Sequence, residues 1–432
     1  MLLHETLPWS DPVATARGIP ASERCWALLH SSLRTPYTGR YSILALKPRR
    51  EITGEDFEEL EAAATDHRPP FENAWFGYLG YGLKHALECL PKDTPSKFPM
   101  PALWMVHYAL ILVFDHDLNK VDVWSEEREA LRDIPHPVFR KKVKPPAIRG
   151  LGSNMDKAAY FAKVETIREA ILRGDLSQAN LTRKFQGEFA ERADALALFE
   201  TLCRLSPAPY SSFLKFGDVS VISSSPERFL ALDAEGNADS RPIKGSAPRH
   251  PDNPAQDKAT REELAGSEKD RAENLMIVDL MRNDFSRGCI PGSVRVDKLF
   301  EITSYATLHH LSSTILGKKH PEVSALEFIK NCFPPGSMTG TPKIEAMKLC
   351  TTLEGEARGV YSGAIGWLGG DGSADFAVVI RTLITDGLRF EFQVGGAIVA
   401  DSTAKSEWQE TLVKARALAA TLGINMEELE GI

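Results

Sequence analysis

The dipeptide Asp386-Gly387 stands between two runs, Phe376 to Thr385 and Leu388 to Val394, that are rich in β-branched and aromatic residues. An Asp-Gly pair accepts the positive φ that a tight turn between antiparallel strands demands, so this stretch predicts a hairpin and an antiparallel sheet. Arg381 lies inside Val378-Val379-Ile380-Arg381-Thr382-Leu383-Ile384, a run expected to be a buried strand. A guanidinium there needs an anion, either a structural carboxylate or the carboxylate of a ligand. Gly395-Gly396 closes the second run. Lacking Cβ atoms, the pair admits either a bulge or a ligand close to the backbone.

The rest of the 432 residues gives length for two or three domain-sized units. Residues 1–148 are expected to be strand-rich. Tyr41 to Leu46 alternates before Lys47-Pro48, and Trp75 to Gly82 sets aromatics between glycines, which suits close backbone approach in a core or at a pocket. Pro135, Pro137, Pro145 and Pro146 surround the basic run Arg140-Lys141-Lys142 without apolar periodicity. That texture predicts a linker and sets the boundary before a second unit, 149–432.

In the second unit Phe161, Val164, Ile167 or Arg168, Ile171 and Leu172 fall at helical spacing with Gly174 as the stop. Leu176 to Thr182 and Val219 to Ser225 read as strands, and Asp194 as the cap of a helix carrying Leu198, Phe199 and Leu202. Gly245 to about Gly266, rich in Pro, Asp and Asn, predicts a mobile loop. Lys269 to Arg282 reads as a helix, Ser324 to Glu327 as a capping box, and Thr341-Pro342 as a helix start. A last helix, Thr403 to Leu422, shows Trp408, Leu412, Ala415 and Leu418 on one face.

The net charge of -8 argues against a nucleic-acid partner, because a polyanion demands a basic face. Six scattered cysteines without C-x-x-C spacing read as thiols in a reducing compartment. Met1 to Glu5 shows no secretory n-region, and the longest apolar stretch, Ala102 to Phe114, is too short to span a bilayer. The expectation is a cytoplasmic protein away from membranes.

Three features carry chemistry. In Pro242-Ile243-Lys244-Gly245-Ser246 a lysine sits between a rigid and a permissive residue. It reads either as a solvated lysine in a turn or, in an apolar pocket, as a neutral nucleophilic amine. Asp270 and Glu273 are spaced i, i+3 on one predicted helix, and so are Glu407 and Glu410 on another. The pairs are either solvated faces or, if the helices face each other, an oxygen set suited to Mg²⁺. Phe333 to Lys343 is glycine-rich but lacks the phosphate-loop order, so nucleotide binding is rejected there.

Taken together, Ser224-Ser225-Pro226-Glu227-Arg228-Phe229, Pro242 to Ser246, Asp270 to Asp284, Phe333 to Lys343, Tyr361 to Gly366 and Gly395 to Ser402 resemble, in order, the motifs of the chorismate-utilising enzymes. The resemblance spans residues 150 to 420. It implies an α+β fold with central antiparallel sheets packed together and helices outside. It also implies a Mg²⁺ ion bound directly by Glu273 and Glu410 and through waters by Asp270 and Glu407. Glu227 is similar to the general acid that protonates the departing C4 hydroxyl of chorismate, and Lys244 to a lysine that adds at C2 before ammonia enters at C4. Tyr361, Arg381, Lys414 and the Gly395-Gly396 backbone resemble the groups that hold carboxylates, Ser246 keeps a substrate-side hydroxyl, and His310 resembles a histidine that positions the leaving oxygen.

Two positions discriminate within the family. Anthranilate-forming members have alanine at the place of Lys244, and members that use water have a lysine at the place of Gln178. The resemblance therefore implies amination of chorismate at C4, in folate synthesis. Its rivals are an anthranilate-forming enzyme of the same family and a non-catalytic chorismate-family subunit. No Gly-x-Cys-x-Gly nucleophile is present, so ammonia is expected from a separate glutamine amidotransferase subunit or from solution. Without a fused lyase the product should be aminodeoxychorismate. Leu28-Leu29-His30-Ser31-Ser32 stands where related chains bind tryptophan near Leu-Leu-Glu-Ser, so tryptophan binding is not expected.

Overall fold

Period-2 alternation in the strands sets up the architecture, seen in a computed structural model that describes residues 2–432 apart from 36–37, 65–67, 141–142 and 306–307. Met1 and the linker residues Lys141-Lys142 lie outside the described residues. In the strand Tyr41–Gly54, Leu44 and Leu46 point into one core, whereas Ile43 and Ala45 point into another. The strand Tyr210–Phe216 divides Phe213 from Leu214 in the same way, and Val219–Ser225 divides Ile222 from Val221. Successive side chains leave opposite faces of a strand, so each sheet must be covered on both sides. One side meets helices Lys157–Leu172, Ala195–Leu205 and Ala404–Leu422 through Tyr160, Phe199, Trp408 and Leu412. The other side is a layer of strand and loop residues, including Phe76, Tyr78, Val106 and Val379. A third core packs helices Glu268–Ser286 and Ala325–Cys332 on strands through Ile277, Phe285, Phe328 and Ile315. The expected α+β arrangement, with sheets at the centre and helices outside, is what the chain adopts.

Twenty strands share one hydrogen-bonded network among the described residues. Cys25–His30 pairs with Tyr210–Phe216, and Trp75–Leu79 pairs with Ala364–Leu368, so strands before and after residue 148 lie side by side. The glycines expected at close backbone approaches behave accordingly. Gly77 faces Gly366 across the ladder, and a Cβ on Gly77 would fall 1.9 Å from the Trp104 carbonyl oxygen. Gly77→Ala is therefore expected to destabilise the fold by about 3 kcal/mol or more, read as a lower midpoint in urea unfolding.

The hairpin at Asp386-Gly387 forms, joining Thr382–Thr385 to Arg389–Ile398 with Gly387 at φ 89. Helices Lys157–Leu172, Ala195–Leu205, Glu268–Ser286 and Ala404–Leu422 form where expected, and Asp194 accepts from the Ala197 N–H as a cap.

Other expectations need correction. Leu172, placed on the apolar face of its helix, is 72% exposed; Tyr160, Val164, Ile167 and Ala170 make that face. Lys47-Pro48 does not end its strand, which runs on to Gly54 past an irregularity between Pro48 and Arg50. The stretch expected as a mobile loop is strand Ile243–Pro248 followed by helix Pro254–Gly266. Its Asn and Pro are helix-start signals: Asn253 accepts from the Gln256 N–H, and Pro254 needs no donor in the first turn. Asp257 then fastens the helix by accepting from Arg249, the His250 N–H and His309. Thr341 does not cap the helix Lys343–Glu354; it pairs with Gln178 in a short strand, and Pro342 holds the cap position. The run Phe376 to Thr385 is two strands, Ala374–Val378 and Thr382–Thr385. At the break Arg381 takes φ 53, Ser224 donates to its carbonyl, and Ser362 donates to that of Val379.

Candidate active site

The lysine strand Ile243–Pro248 pairs with Leu308–Lys318, and the register slips between Ile243 and Ser246. Gly245 takes φ 87 at the slip, and a Cβ there would lie 3.0 Å from the Asp270 carboxyl carbon. Glycine at this position lets the strand bulge directly against the acidic helix Glu268–Ser286. Lys244 sits in the bulge. Burial lowers its proton affinity, Lys414 adds to the lowering, and Glu273, Glu227 and Glu410 oppose it. Burial wins, which moves the side chain toward the neutral amine.

Glu227 lies between strands Val219–Ser225 and Arg228–Leu232 and is only 5% exposed. Burial pushes its carboxyl up to about 7, against Ser337, Lys244, the Ile243 N–H and Lys414. An ion pair between Glu227 and Lys244 would drive both groups toward charge. Desolvation drives both toward neutrality and is the largest influence on each.

His310, on the strand beside Lys244, is 5% exposed, and its Nδ1 lies 2.6 Å from the Ser246 hydroxyl. Burial, with Arg381 and His309 nearby, pushes it down to about 3, so the ring is neutral. Burial raises the Tyr361 phenol, which stays protonated within reach of Arg381 and Glu227. Arg381 forms no ion pair with any described residue. Burial lowers its proton affinity, and Tyr361 is the group that opposes this. Of the two anions weighed for this arginine, the structural carboxylate is absent among the described residues.

The two acidic helices bring Glu273 and Glu410 within electrostatic range of each other. Glu273 is raised by burial, with Glu410 and Asp270 adding and Lys244 and Lys269 opposing. Glu407, 2% exposed, is pushed up to about 6 by burial and by Glu410. Burial would also raise Glu410, but Lys414, Lys244 and Lys269 overcome it and hold that carboxyl low. Gly396 forms a cradle beneath them: a Cβ on it would lie 2.9 Å from Glu407 Oε2 and 3.5 Å from Glu410 Oε1. Ser402 donates to Glu407 Oε1 at 2.7 Å, whereas the buried Oε2 has no partner. Lys414 donates to Glu410 Oε1 at 2.6 Å and to the Gly395 carbonyl at 2.9 Å. Among the described residues no group of three or more His, Cys, Asp or Glu side chains is drawn together closely enough to hold a metal ion. An orphaned carboxylate oxygen beside a second carboxylate, that of Glu410, nevertheless fits a hard cation that retains waters.

The fold sets Lys244 within electrostatic range of Glu227, Glu273, Glu410 and Lys414. Ser337, unremarked in the sequence, lies close enough to Glu227 to lower its proton affinity, though no complete hydrogen bond satisfies its hydroxyl. Both polar atoms of the fully buried Gln178 also lack partners. The rejected phosphate loop is a brace. Lys343 pairs with Asp284 at 2.7 Å and donates to the carbonyls of Cys332 and Pro334. Arg358, paired with Glu354 at 2.7 Å, donates to the carbonyls of Met338 and Asn180. The Arg358–Glu354 spacing looks like a surface helix pair in sequence. Only the fold buries it.

A separate cavity of about 780 Å³ lies among the amino-terminal strands, lined by Leu29, His30, Trp124, Tyr210 and Trp367. None of the candidate active-site residues described above lines it. No helix of the described residues is long and apolar enough to cross a membrane.

Known proteins resemble this chain along nearly its full length. Aminodeoxychorismate synthase component 1 of Salmonella typhimurium is 34% identical over 438 residues, covering 95% of this chain and 96% of the relative. Anthranilate synthase component 1 of Streptomyces coelicolor is 36% identical over 442 residues, covering 94% and 86%. Among solved structures, anthranilate synthase component I from Streptococcus pneumoniae superposes with a TM-score of 0.78 at 30% identity, covering 89% of this chain and 92% of that one. The family model described as chorismate binding enzyme matches residues 25–420. With a lysine, a protonated acid and two facing acidic helices assembled inside that span, the chain belongs to the chorismate binding enzyme family.

Proposed function

We propose that this family member is the first component of an aminodeoxychorismate synthase, which replaces the C4 hydroxyl of chorismate with an amino group supplied as ammonia. Relatives of both activities match at similar identity, so overall likeness does not decide between them. The deciding observation is Lys244, a half-buried lysine moved toward its neutral form by desolvation, beside a carboxyl that keeps its proton to about pH 7.

Glu227 donates its proton to the departing C4 oxygen, which leaves as water. Lys244 attacks C2 as the neutral amine, the double bond shifts, and the C4–O bond breaks. Ammonia then adds at C4 and expels the Lys244 nitrogen from C2, restoring the ring pattern. Neutral His310, steered by Ser246, orients the leaving oxygen. Arg381, Tyr361 and Lys414 hold the substrate carboxylates with the Gly395-Gly396 backbone, and buried Gln178 offers no basic group to activate water. Glu273 and Glu410 would hold Mg²⁺ directly, with Asp270 and Glu407 acting through waters. The ion would supply Lewis-acid polarisation of the allylic system and a grip on the ring carboxylate. The ammonia source is a separate glutamine amidotransferase subunit, in keeping with relatives named as one component of a pair. Six free cysteines fit a reducing cytoplasm.

Incubating the purified chain with chorismate, Mg²⁺ and ammonium should yield aminodeoxychorismate as the main product by chromatography. Anthranilate or isochorismate as the main product would overturn this reading.

A further inference from the structure

Each acidic helix carries its own lysine one turn from its glutamate. Lys269 Nζ lies 3.8 Å from Glu273, and Lys414 Nζ lies 2.6 Å from Glu410. Both are i, i+4 pairs, but the two lysines are tethered differently. Lys414 is also bonded to the Gly395 carbonyl, which fixes it to the central sheet. Lys269 has 59% of its side chain exposed, and Glu273 is its single ion-pair partner among the described residues. Its influence nevertheless crosses to the other helix, where it lowers the proton affinity of Glu407 and Glu410. One largely exposed ammonium therefore bears electrostatically on carboxylates of both helices.

We propose that Lys269 is a displaceable counter-ion: its ammonium balances the facing carboxylates until a divalent cation enters, then swings into solvent. This rests on the magnesium reading given above. Glu410 repels both Glu273 and Glu407, Asp270 repels Glu273, and one oxygen of Glu407 has no partner; a lysine arriving from solvent relieves that repulsion without the rigid fork of an arginine. The entering ion and the ammonium carry like charge and seek the same oxygens, so both cannot stay. An exposed lysine–glutamate pair is weak, and releasing it costs little. Lys269 thereby sets how tightly the ion is held and keeps the site from closing permanently around it.

The test is calorimetric titration of Mg²⁺ alone into the chelator-treated whole chain, as wild type, Lys269→Gln and Lys269→Arg. The glutamine variant should bind about fivefold more tightly than wild type, and the gap should narrow as salt is raised. The arginine variant, still a cation, should stay within about twofold of wild type. Equal or weaker binding by Lys269→Gln, with an unchanged melting temperature in chelator, overturns the counter-ion role alone. Absence of Mg²⁺ binding in all three overturns the magnesium reading itself.

Discussion

Lys244→Ala is expected to lower the rate of aminodeoxychorismate formation about a hundredfold or more, while leaving the fold intact. The size follows from what is removed: an oriented nucleophile in a desolvated pocket, the kind of group whose loss forfeits both proximity and covalent assistance. The bulge at Gly245 and the pairing with Leu308–Lys318 are backbone features and do not need the lysine side chain. Deleting a cation that burial already disfavours should not unfold the chain. Any residual turnover should show a larger share of anthranilate. Single-turnover product analysis reads both the rate and the share, and an unchanged rate with unchanged products would remove the covalent role. Mass spectrometry of the quenched wild type should reveal a chorismate-derived adduct on the tryptic peptide containing Lys244.

Glu227→Gln should trade activity for stability. Loss of a general acid is expected to cost about a thousandfold in kcat. The wild-type rate should fall as pH rises through about 7, where Glu227 gives up its proton, and the variant should lack that limb. The stability effect has the opposite sign. The folded carboxyl titrates near 7 against an ordinary 4.5, so the folded state binds the proton more tightly than the unfolded one. Its contribution to stability is fully present below 4.5 and is lost as pH rises through 7. At pH 8 the wild type has forfeited on the order of 3 kcal/mol that an uncharged glutamine does not forfeit. The variant should therefore gain melting temperature on the wild type between pH 5 and pH 8. Parallel melting curves across that range would contradict the protonated-acid assignment.

What was legible in the sequence was what is encoded locally. Asp386-Gly387 dictates its own turn, Asp194 its own cap, and the i, i+3 carboxylates their own helix face. The burial of Lys244 and Glu227 is another matter, since it comes from packing among segments far apart in the chain. Arg381 shows the limit clearly. The apolar residues around it predict an unbroken strand, but Ser224 and Ser362, remote in sequence, take up the backbone groups that the ladder gives away. The Asn and Pro near Asn253 misled for the converse reason: the same residues open helices and make loops, and only the Asp257 contacts with Arg249 and His309 decide which. Ser337 gave no signal at all, because a lone serine acquires meaning only when the fold sets it beside a buried acid.

The side-by-side placement of Cys25–His30 with Tyr210–Phe216, and of Trp75–Leu79 with Ala364–Leu368, bears on how this enzyme can be taken apart. A fragment starting near residue 149 would keep every proposed reacting group, yet it would leave two long rows of amide and carbonyl groups bare along its rims. Such rims invite other chains to stack on them. The amino-terminal third is thus the flank that keeps the catalytic remainder from sticking to its own copies.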